Sequence, residues 1–562
     1  MTVAKVSQPA LRNRTLSNSV GSLLQYLNLL NPRQPQPPTS FMGSRWCVLG
    51  KYTGPKVTDQ VSRSHAQKFA CTSTDMNTSP DDQGYSGEYR GRGRRLLRPL
   101  TVVLLGHLTI DALSDDVLLR IFDSYRCEYD GIYSTWRWHV LVHICERWRR
   151  IIFACPGHLN LQLVCKSKTD MKTTLDIWPA LPIIIDASFD DDADEDDIVG
   201  TLEDRDRIAG INFRGLTRSK LEKCVSLMQQ SFPVLSSLHL SSTSGGITYV
   251  IPDAFLGGSA PRLKSVLLSG IRFPALPKLL SSARDLVNLD LGCFSIDDIS
   301  LEAMVTSLSV LTKLQSLTIR FNEASPPDPT GQSPTSLTPT VLPALTDLSL
   351  GGPYEYLETF VARIDAPRLD NAELAFDDEP IFDTARVPQF IHRTEMFKLL
   401  GRVDVYFCKE GAFREGCVIL YLHPSTGPAK FELSFPCSGL PSQVALMERT
   451  WTQCQALLSH VESLQLHGDS LEEWKSHYVS WQGFFEPFTA VQTLHLSGEV
   501  LTPQVAGMLG FMEEEAIEVL PTLHTLVLAC SEGVMFEADD LLEPFIVARE
   551  HSEHPVVVKR ED

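Results

Sequence analysis

The C-terminal two-thirds of the chain repeats a short pattern of hydrophobic and polar positions, L-x-x-L-x-L. The alternation in its second half is typical of a β-strand that buries one face. Strong copies begin at Ile208, Leu235, Leu263, Leu286, Leu314, Leu345, Leu400, Val461, Val491 and Leu523. Weaker copies begin at Leu369, with Ala372 in the second slot, and at Lys430, which precedes Leu433 and Phe435. Each copy is predicted to be one strand.

The segments between these copies have helical character, for example residues 295–311 and 442–461. Neighbouring copies start about 23 to 32 residues apart, close to the period of leucine-rich repeats. One strand and one helix cannot enclose a core alone, so neighbouring units must stack. The sequence therefore predicts an α/β fold in which a curved leucine-rich-repeat solenoid with parallel strands spans residues 208–550. An ordinary α/β domain with parallel strands is the alternative.

Proline precedes the first hydrophobic slot by two residues in five copies, at Pro233, Pro261, Pro343, Pro367 and Pro521. The fixed φ of proline and its missing amide hydrogen disfavour a continuing helix. We expect each of these prolines to end the preceding helix and to lead into the strand.

Helical periodicity marks a unit over residues 108–158. In "LSDDVLLRIFDSY", Ser114 is a good N-cap, and the two aspartates after it favour the positive end of a helix. In "LVHICERWRRIIF", residues 141–153, apolar residues including Cys145 and Trp148 share one face, which predicts one amphipathic helix. The apolar area exceeds what about fifty residues bury well, which favours a partner surface. Docking on the next domain is the alternative.

Residues 1–107 are predicted to be disordered, because they are rich in Pro, Gly and Ser and lack periodicity. They contain no acidic residue before Asp59, a bias that mitochondrial targeting segments share with ordinary disordered tails. Arginines between Arg90 and Arg98 form either a nuclear-import or RNA-binding patch or a plain solvated linker.

Residues 159–207 are expected to connect the helical unit to the repeats, with a first buried strand and an acidic run at 190–197. That run lacks the spaced ligands and the glycine of a calcium loop, so a solvated loop is favoured over a cation site. Residues 551–562 are expected to form a C-terminal tail.

Charge and composition narrow the classes of partner. The net charge of −19 argues against binding of the whole chain to nucleic acid or to anionic membranes. No apolar run approaches the roughly 18 residues that a membrane helix needs. The 13 cysteines are scattered without a C-x-x-C pair and no signal peptide is visible, which favours a reducing compartment. We expect a protein of the cytoplasm or nucleus, with mitochondrial import as the alternative.

Candidate chemistry is sparse. The sequence contains no nucleotide-binding loop, no serine-hydrolase elbow and no H-E-x-x-H zinc motif. His139 and His143 are four residues apart on a predicted helix, but no third ligand or general base accompanies them, which favours surface or packing roles. We therefore expect a protein that is not an enzyme, with no catalytic residue, metal or cofactor.

The polar slots of the strand pattern share no common chemistry, which favours a surface fitted to one protein partner over a repeated ligand code. The candidate target-binding residues are Asn212, His239, Asp290, Glu373, Asp404 and His495. Because the leucines point into the core, we expect these side chains on an exposed, concave sheet face. Charge reversal at Asp290 and Asp404 is expected to change stability little.

The upstream helices resemble the F-box. The usual F-box has an acidic position, an I-F pair and a V-C-x-x-W-R helix. Here Ile121-Phe122 matches the I-F pair, and Cys145, Trp148 and Arg149 match the C-x-x-W-R residues. Residues 156–186 resemble the extension that follows the F-box in a large family of fungal F-box proteins with leucine-rich repeats. The likeness covers residues 108–186 well and the repeats loosely.

This resemblance implies the substrate-recognition subunit of an SCF-type ubiquitin ligase. The F-box would bind a Skp-type adaptor, which joins it to a cullin and a RING protein, and the repeats would bind a protein target. Carried over by position, the candidate core and adaptor-binding residues are Leu113, Val117, Leu118, Ile121, Phe122, Leu141, Val142, Ile144, Cys145 and Trp148. Ser114 replaces a customary proline, which removes one contact and weakens the expected binding. A repeat scaffold that joins no ligase is the alternative.

Overall fold

A computed structural model describes residues 113–127, 138–156, 159, 161–166, 175, 178, 180–189, 200–242, 249–294, 299–321, 338–378, 385–409, 416–468, 481–499, 501–511, 518–530 and 532–561. The predictions of a disordered N-terminal region and of an acidic loop at 190–197 lie outside these residues. The chain divides into two compact units, Met1–Cys155 and Pro156–Asp562.

The described part of the first unit is helical. Its helices are α1 (Asp115–Cys127), α2 (Trp138–Val142) and α3 (Glu146–Ala154). Helix α1 begins directly after Ser114, where the sequence predicts a helix start, and carries Asp115 and Asp116 in its first turn. Carboxylates at that position favour the positive end of the helix dipole.

The single helix predicted over residues 141–153 is wrong, because the chain turns at His143 and Ile144 between α2 and α3. Cys145 then adopts an extended backbone, and its Sγ accepts a hydrogen bond from the Trp148 N–H at 3.5 Å. A side chain that caps a helix in this way marks a new N-terminus. The amphipathic character therefore belongs to α3, and Cys145 caps that helix instead of lying on its apolar stripe.

The second unit is built on one 16-stranded sheet. The strands are β1 (Leu163–Lys166), β2 (Ile183–Ser188), β3 (Ile208–Leu216), β4 (Ser237–Ser242), β5 (Ser265–Ser269), β6 (Asn288–Phe294), β7 (Ser316–Phe321), β9 (Asp347–Gly352), β11 (Asn371–Phe376), β12 (Leu400–Cys408), β13 (Cys417–Pro424), β14 (Lys430–Pro436), β15 (Ser463–Gly468), β16 (Thr493–Ser497), β17 (Thr525–Ala529) and β18 (Val557–Glu561). A separate parallel pair joins β8 (Thr340–Val341) to β10 (Ile364–Asp365).

Helices lie between many of these strands in the chain. They are α4 (Arg218–Leu227), α5 (Leu276–Ser282), α6 (Leu301–Leu308), α7 (Tyr354–Ala362), α8 (Arg386–Arg393), α9 (Leu440–Leu458), α10 (Gln482–Phe485), α11 (Leu501–Phe511) and α12 (Glu532–His551), with short 3₁₀ helices at Phe255–Gly258 and Glu395–Phe397. The second unit is therefore a mixed α/β structure with a large, mostly parallel sheet. No helix in the described ranges has both the length and the apolar character needed to span a membrane.

All twelve copies of the strand pattern form strands of the large sheet, which confirms the predicted strands. The buried strand expected before the acidic run is β2, and residues 557–561 of the expected tail pair with β17 as β18. The four other strands of the large sheet, β1, β2, β13 and β18, lie outside the pattern.

The expected uniformly parallel order is wrong at one place. The spatial order there is β11-β14-β13-β12-β15, and β13 is antiparallel to both of its neighbours. Helix α8 precedes β12, the chain then returns through β13 and β14, and α9 leads on to β15. The copies at Leu400 and Lys430 are therefore not consecutive parallel units, because an antiparallel strand separates them. Alternation along a strand carries no information about its direction.

The hydrophobic slots of neighbouring strands are in register and form continuous buried rows. Leu240 of β4 pairs with Leu268 of β5, which pairs with Leu291 of β6, and all three are at most 3% exposed. The first-slot residues before these strands, such as Leu263, are also fully buried. Burial of one such side chain contributes about 1.5–3 kcal/mol. The core is therefore shared between repeats.

Close packing of α11 on α12 depends on Gly510. A Cβ built on Gly510 would lie 1.9 Å from the carbonyl oxygen of Leu541 in α12. We expect Gly510→Ala to lower the free energy of unfolding by about 1–3 kcal/mol, because the two helix backbones must separate. Urea unfolding, followed by circular dichroism, measures this change.

Gly507→Ala is the matched control, because a Cβ on Gly507 would meet its nearest heavy atom, in Leu541, at an ordinary 3.8 Å. This variant is expected to keep or raise stability, since alanine favours a helix more than glycine does. Equal losses in the two variants would contradict the close-packing role of Gly510.

Candidate functional site

Two aromatic rings join the first and third helices of the N-terminal unit. The ring centroids of Phe122 and Trp148 are 4.7 Å apart, and the side chains are 1% and 2% exposed. The candidate adaptor-binding residues that the structure buries are Leu118, Ile121, Phe122, Leu141, Val142 and Trp148. These six side chains are interior residues, so a partner cannot contact them directly in this conformation.

The other four candidate residues of the helical unit are accessible. Ile144, in the turn between α2 and α3, is 41% exposed, and Leu113, Val117 and Cys145 are half-buried. An apolar side chain that protrudes from a turn is a common anchor for a partner protein. The accessible candidates therefore lie at the start of α1 and just before α3.

Arg147 connects these two places. Its guanidinium donates to the Asp115 carboxylate at 2.7 Å and to the Leu113 carbonyl oxygen at 2.6 Å. The ion pair is partly exposed, so it contributes little energy, but three-way hydrogen bonding fixes the start of α3 against the start of α1. The sequence indicates only that Arg147 lies on the polar helix face, since its partners are more than thirty residues away.

On the second unit, all six candidate target-binding residues lie in one register row across the sheet. The row runs through Asp186, Asn212, His239, Leu267, Asp290, Thr318, Ser349, Glu373, Glu432, Tyr421, Asp404, Gln465, His495, Val527 and Lys559. We call it the polar row. It lies on the face opposite the buried leucines, because successive side chains of a strand alternate between faces.

The polar row begins with a hydrogen-bonded cluster. Asp186 accepts hydrogen bonds from the Asn212 amide at 2.8 Å and from the Arg214 guanidinium at 3.0 Å. Burial lowers the pKa of the neighbouring His239, and the charge of Arg214 lowers it further. Asn212 is only 5% exposed, so the expectation that it lies on an exposed surface is wrong.

Asp404 is also buried, at 5% exposure, which contradicts the expected exposure of that residue. Its carboxylate lies 2.9 Å from the Arg402 Nε and 3.1 Å from the His423 Nε2. These side chains come from the same strand and from the neighbouring β13, which the repeat pattern did not predict. Removal of a buried carboxylate would leave Arg402 without its counter-charge. The expectation that charge reversal at Asp404 changes stability little assumed an exposed side chain, and Asp404 is buried.

Aromatic side chains lie next to Asp404 on the same face. The Tyr406 and His467 rings are stacked with centroids 4.3 Å apart, and Tyr421 meets Tyr406 edge-on at 5.4 Å. Burial lowers the pKa of His467, and the neighbouring His495 lowers it further. His495 in turn lies 3.4 Å from a Glu561 carboxylate oxygen. Aromatic and polar atoms therefore alternate on this part of the surface.

The centre of the row carries carboxylates. Glu373 accepts a hydrogen bond from Ser349 at 3.0 Å, and Glu432 on the adjacent strand lies 3.1 Å from the Lys430 ammonium. Burial raises the pKa of Glu432 despite that lysine. Glu373, like His239, Asp290 and His495, is half-buried.

These arrangements can bind a partner through hydrogen bonds, ionic contacts and ring stacking. Within the described ranges, no group of three or more His, Cys, Asp or Glu side chains has a geometry that could hold a metal ion. His143 is exposed, and the side chain of His139 lies outside the described residues.

No protein-family model matches the chain, and a search of curated proteins found no match either.

Asp290 provides a test of the burial of the polar row. Its register partners are Leu267 and Thr318, and burial raises its pKa above the ordinary 3.8. Burial penalises the ionised form, so Asp290→Asn is expected to be more stable than the wild type at pH 7. The part of this difference that comes from ionisation should disappear below the ordinary pKa, where Asp290 is protonated in both the folded and the unfolded state. Thermal unfolding between pH 3 and 7 measures it.

Asp285→Asn is the control with the opposite sign. A hydrogen bond from Lys313 lowers the pKa of this exposed carboxyl. Its contribution to stability is present above the ordinary pKa and is lost as the pH falls, so the variant should be slightly less stable at pH 7. A stabilising effect in both variants would indicate a general charge effect instead of burial of Asp290.

Proposed function

We propose that this chain is the substrate-recognition subunit of an SCF-type ubiquitin ligase. In this proposal, the helical unit is an F-box that binds a Skp-type adaptor. The second unit is a leucine-rich-repeat solenoid whose polar row binds a protein target. The observation that carries the proposal is the presence, in one chain, of the Phe122–Trp148 helical unit and a long row of non-repeating polar side chains.

The adaptor side of the proposal is supported by the division of the candidate residues. The buried set, centred on Phe122 and Trp148, holds the helices together. The accessible set, centred on Ile144, provides apolar contact area at a place that Arg147 fixes by hydrogen bonds. A rigid apolar anchor with a polar surround is typical of protein interfaces.

The target side is supported by the length and chemistry of the polar row. Neighbouring strands are about 4.8 Å apart, so the eleven strand steps from Asn212 to His495 extend over roughly 50 Å of sheet. A small molecule needs an enclosed pocket, whereas an open row of this length suits the surface of a folded protein. Tyr and His side chains among charged ones provide both area and specificity.

The adaptor proposal predicts that Ile144→Asp weakens binding without unfolding the helical unit. In the complex, the adaptor would bury Ile144. A charge at this position is therefore expected to lower affinity for a purified Skp-type adaptor by ~10-fold or more. Val341→Asp is the control, because Val341 is also an exposed apolar residue, 51% exposed against 41% for Ile144, but lies on the second unit. Ser114→Pro, which restores the residue customary in the F-box, is expected to strengthen binding. Isothermal calorimetry gives the affinities.

Circular dichroism of the same variants separates binding from folding. Trp148→Ala is expected to destabilise the unit by about 3–5 kcal/mol and so to lose binding indirectly. Adaptor affinity that is unchanged in folded Ile144→Asp would reject this face. A wild-type chain that binds no adaptor would favour a repeat scaffold outside any ligase.

The target proposal predicts that Asp290→Lys with Glu373→Lys removes target capture and leaves adaptor capture intact. Both residues are half-buried members of the polar row, and reversed charges disfavour an otherwise complementary partner. Asp285→Lys is the control, because Asp285 has an exposed carboxylate that lies outside the polar row. Affinity capture followed by mass spectrometry compares the proteins recovered with each variant. If the double variant recovers the same proteins as the wild type and the Asp285→Lys control, target binding lies off the polar row.

A further inference from the structure

Two cysteines face each other across the antiparallel hairpin that interrupts the sheet. Cys408 at the end of β12 is the direct register partner of Cys417 at the start of β13. Directly opposed residues in an antiparallel pair have Cα atoms about 4.5–5.5 Å apart. That spacing lies within the range of roughly 4.4–6.8 Å over which a disulfide bridges two cysteines.

Both side chains lie on the polar face of the sheet. At the paired ends of β12 and β13, Phe407 and Val418 lie in the core, and the two cysteines are half-buried on the opposite side. Directly opposed residues project to the same face of a sheet. Neither cysteine is part of a disulfide in this structure, so the pair is a dithiol that a small reagent can reach.

The backbone on each side of the pair is held in place. The amide of Gln443, a fully buried residue of α9, donates to the carbonyl oxygens of Cys408 and Cys437, both at 2.8 Å. The Cys437 N–H donates to the carbonyl oxygen of Gly416 at 2.8 Å, next to Cys417. The two cysteines are therefore kept opposite each other, and little entropy is lost when they are joined.

We propose that Cys408 and Cys417 form a reversible redox site that closes to an intramolecular disulfide. The oxidant is a low-molecular-weight disulfide of the glutathione class. One cysteine thiolate attacks glutathione disulfide, forms a mixed disulfide and releases one glutathione thiolate. The second cysteine thiolate then attacks the protein cysteine sulfur of that mixed disulfide, forms the Cys408–Cys417 bond and releases the second glutathione as a thiolate. The two protein thiols lose two electrons and two protons in total, and glutathione disulfide becomes two glutathione thiols.

The site adjoins the aromatic part of the polar face. Tyr406 precedes Cys408 by two residues on the same face, and its register partner is Ile419, two residues after Cys417. The disulfide would join the end of β12 to the start of β13, next to Tyr406 and Ile419. Oxidation therefore rigidifies the hairpin next to the stacked Tyr406 and His467 rings.

The test uses the reduced full-length chain, incubated with glutathione buffers of increasing oxidised fraction. Acid stops the exchange, N-ethylmaleimide labels the remaining thiols, and peptide mapping without reductant locates the links. We expect Cys408 and Cys417 to lose labelling together and a linked peptide pair to appear. Dithiothreitol should restore both labels. The half-buried Cys155 and Cys530 are internal controls and should stay labelled under the same conditions.

Cys417→Ser is the matched variant, because it preserves size while removing one sulfur. In this variant, Cys408 should carry glutathione or N-ethylmaleimide and should enter no intramolecular link. Labelling of Cys408 and Cys417 that persists as fully as that of Cys155 would overturn the proposal. A link from either cysteine to Cys437 instead would overturn it as well.

Discussion

The second unit depends on the fact that no strand buries its hydrophobic side chains without its neighbours. Leu240, Leu268 and Leu291 occupy equivalent slots on consecutive strands and are buried only as a continuous row. Each repeat therefore completes the core of the next, and the core grows along the sheet instead of around a centre. The polar face takes no part in that row. Its residues can differ from strand to strand without loss of core packing, and this freedom allows a surface specific to one partner.

The same constraint explains how an antiparallel strand fits into an otherwise parallel sheet. Val405 of β12, Leu420 of β13 and Leu433 of β14 are register partners, and all are buried. The hydrophobic row therefore continues through β13, although the chain direction reverses. Because antiparallel strands need only a short connection, the hairpin inserts extra width into the sheet with few residues. The reversal brings Tyr421 and His423 beside Asp404, a combination that parallel repeats alone would not produce.

The sequence predicts those features of the fold that depend on local periodicity. Every copy of the strand pattern forms a strand, and the start of α1 follows Ser114. Features that depend on contacts between distant residues were not predictable in this way. The break before α3 depends on a cap by the Cys145 side chain. Strand β13 has the same alternation as any other strand, so the alternation predicts neither its direction nor its position in the sheet.

For the candidate site as well, local periodicity predicts the sheet face of each residue but not its exposure. The alternation correctly assigns all six target-binding candidates to one side of the sheet, and the register brings them into one row. Exposure was not predictable, because it depends on neighbours from other strands. Asn212 donates a hydrogen bond to Asp186 of the neighbouring strand, and His423 of the unpredicted strand lies 3.1 Å from the Asp404 carboxylate. Likewise, the contacts of Arg147 join residues that are far apart in the sequence.

Charge pairing differs along the polar row, and in the proposed function this difference decides which of its residues attract a target. Asp186 is matched by Arg214, and Asp404 by Arg402, so a partner meets little net charge at either position. Asp290 and Glu373, by contrast, form no ion pair within the described part of the chain. Their carboxylates are half-buried, so water and salt screen them less than fully exposed groups. If the row binds a target as we propose, a cation on that target would gain more from these two carboxylates than from the paired ones, and the centre of the row would contribute more to specificity than its ends.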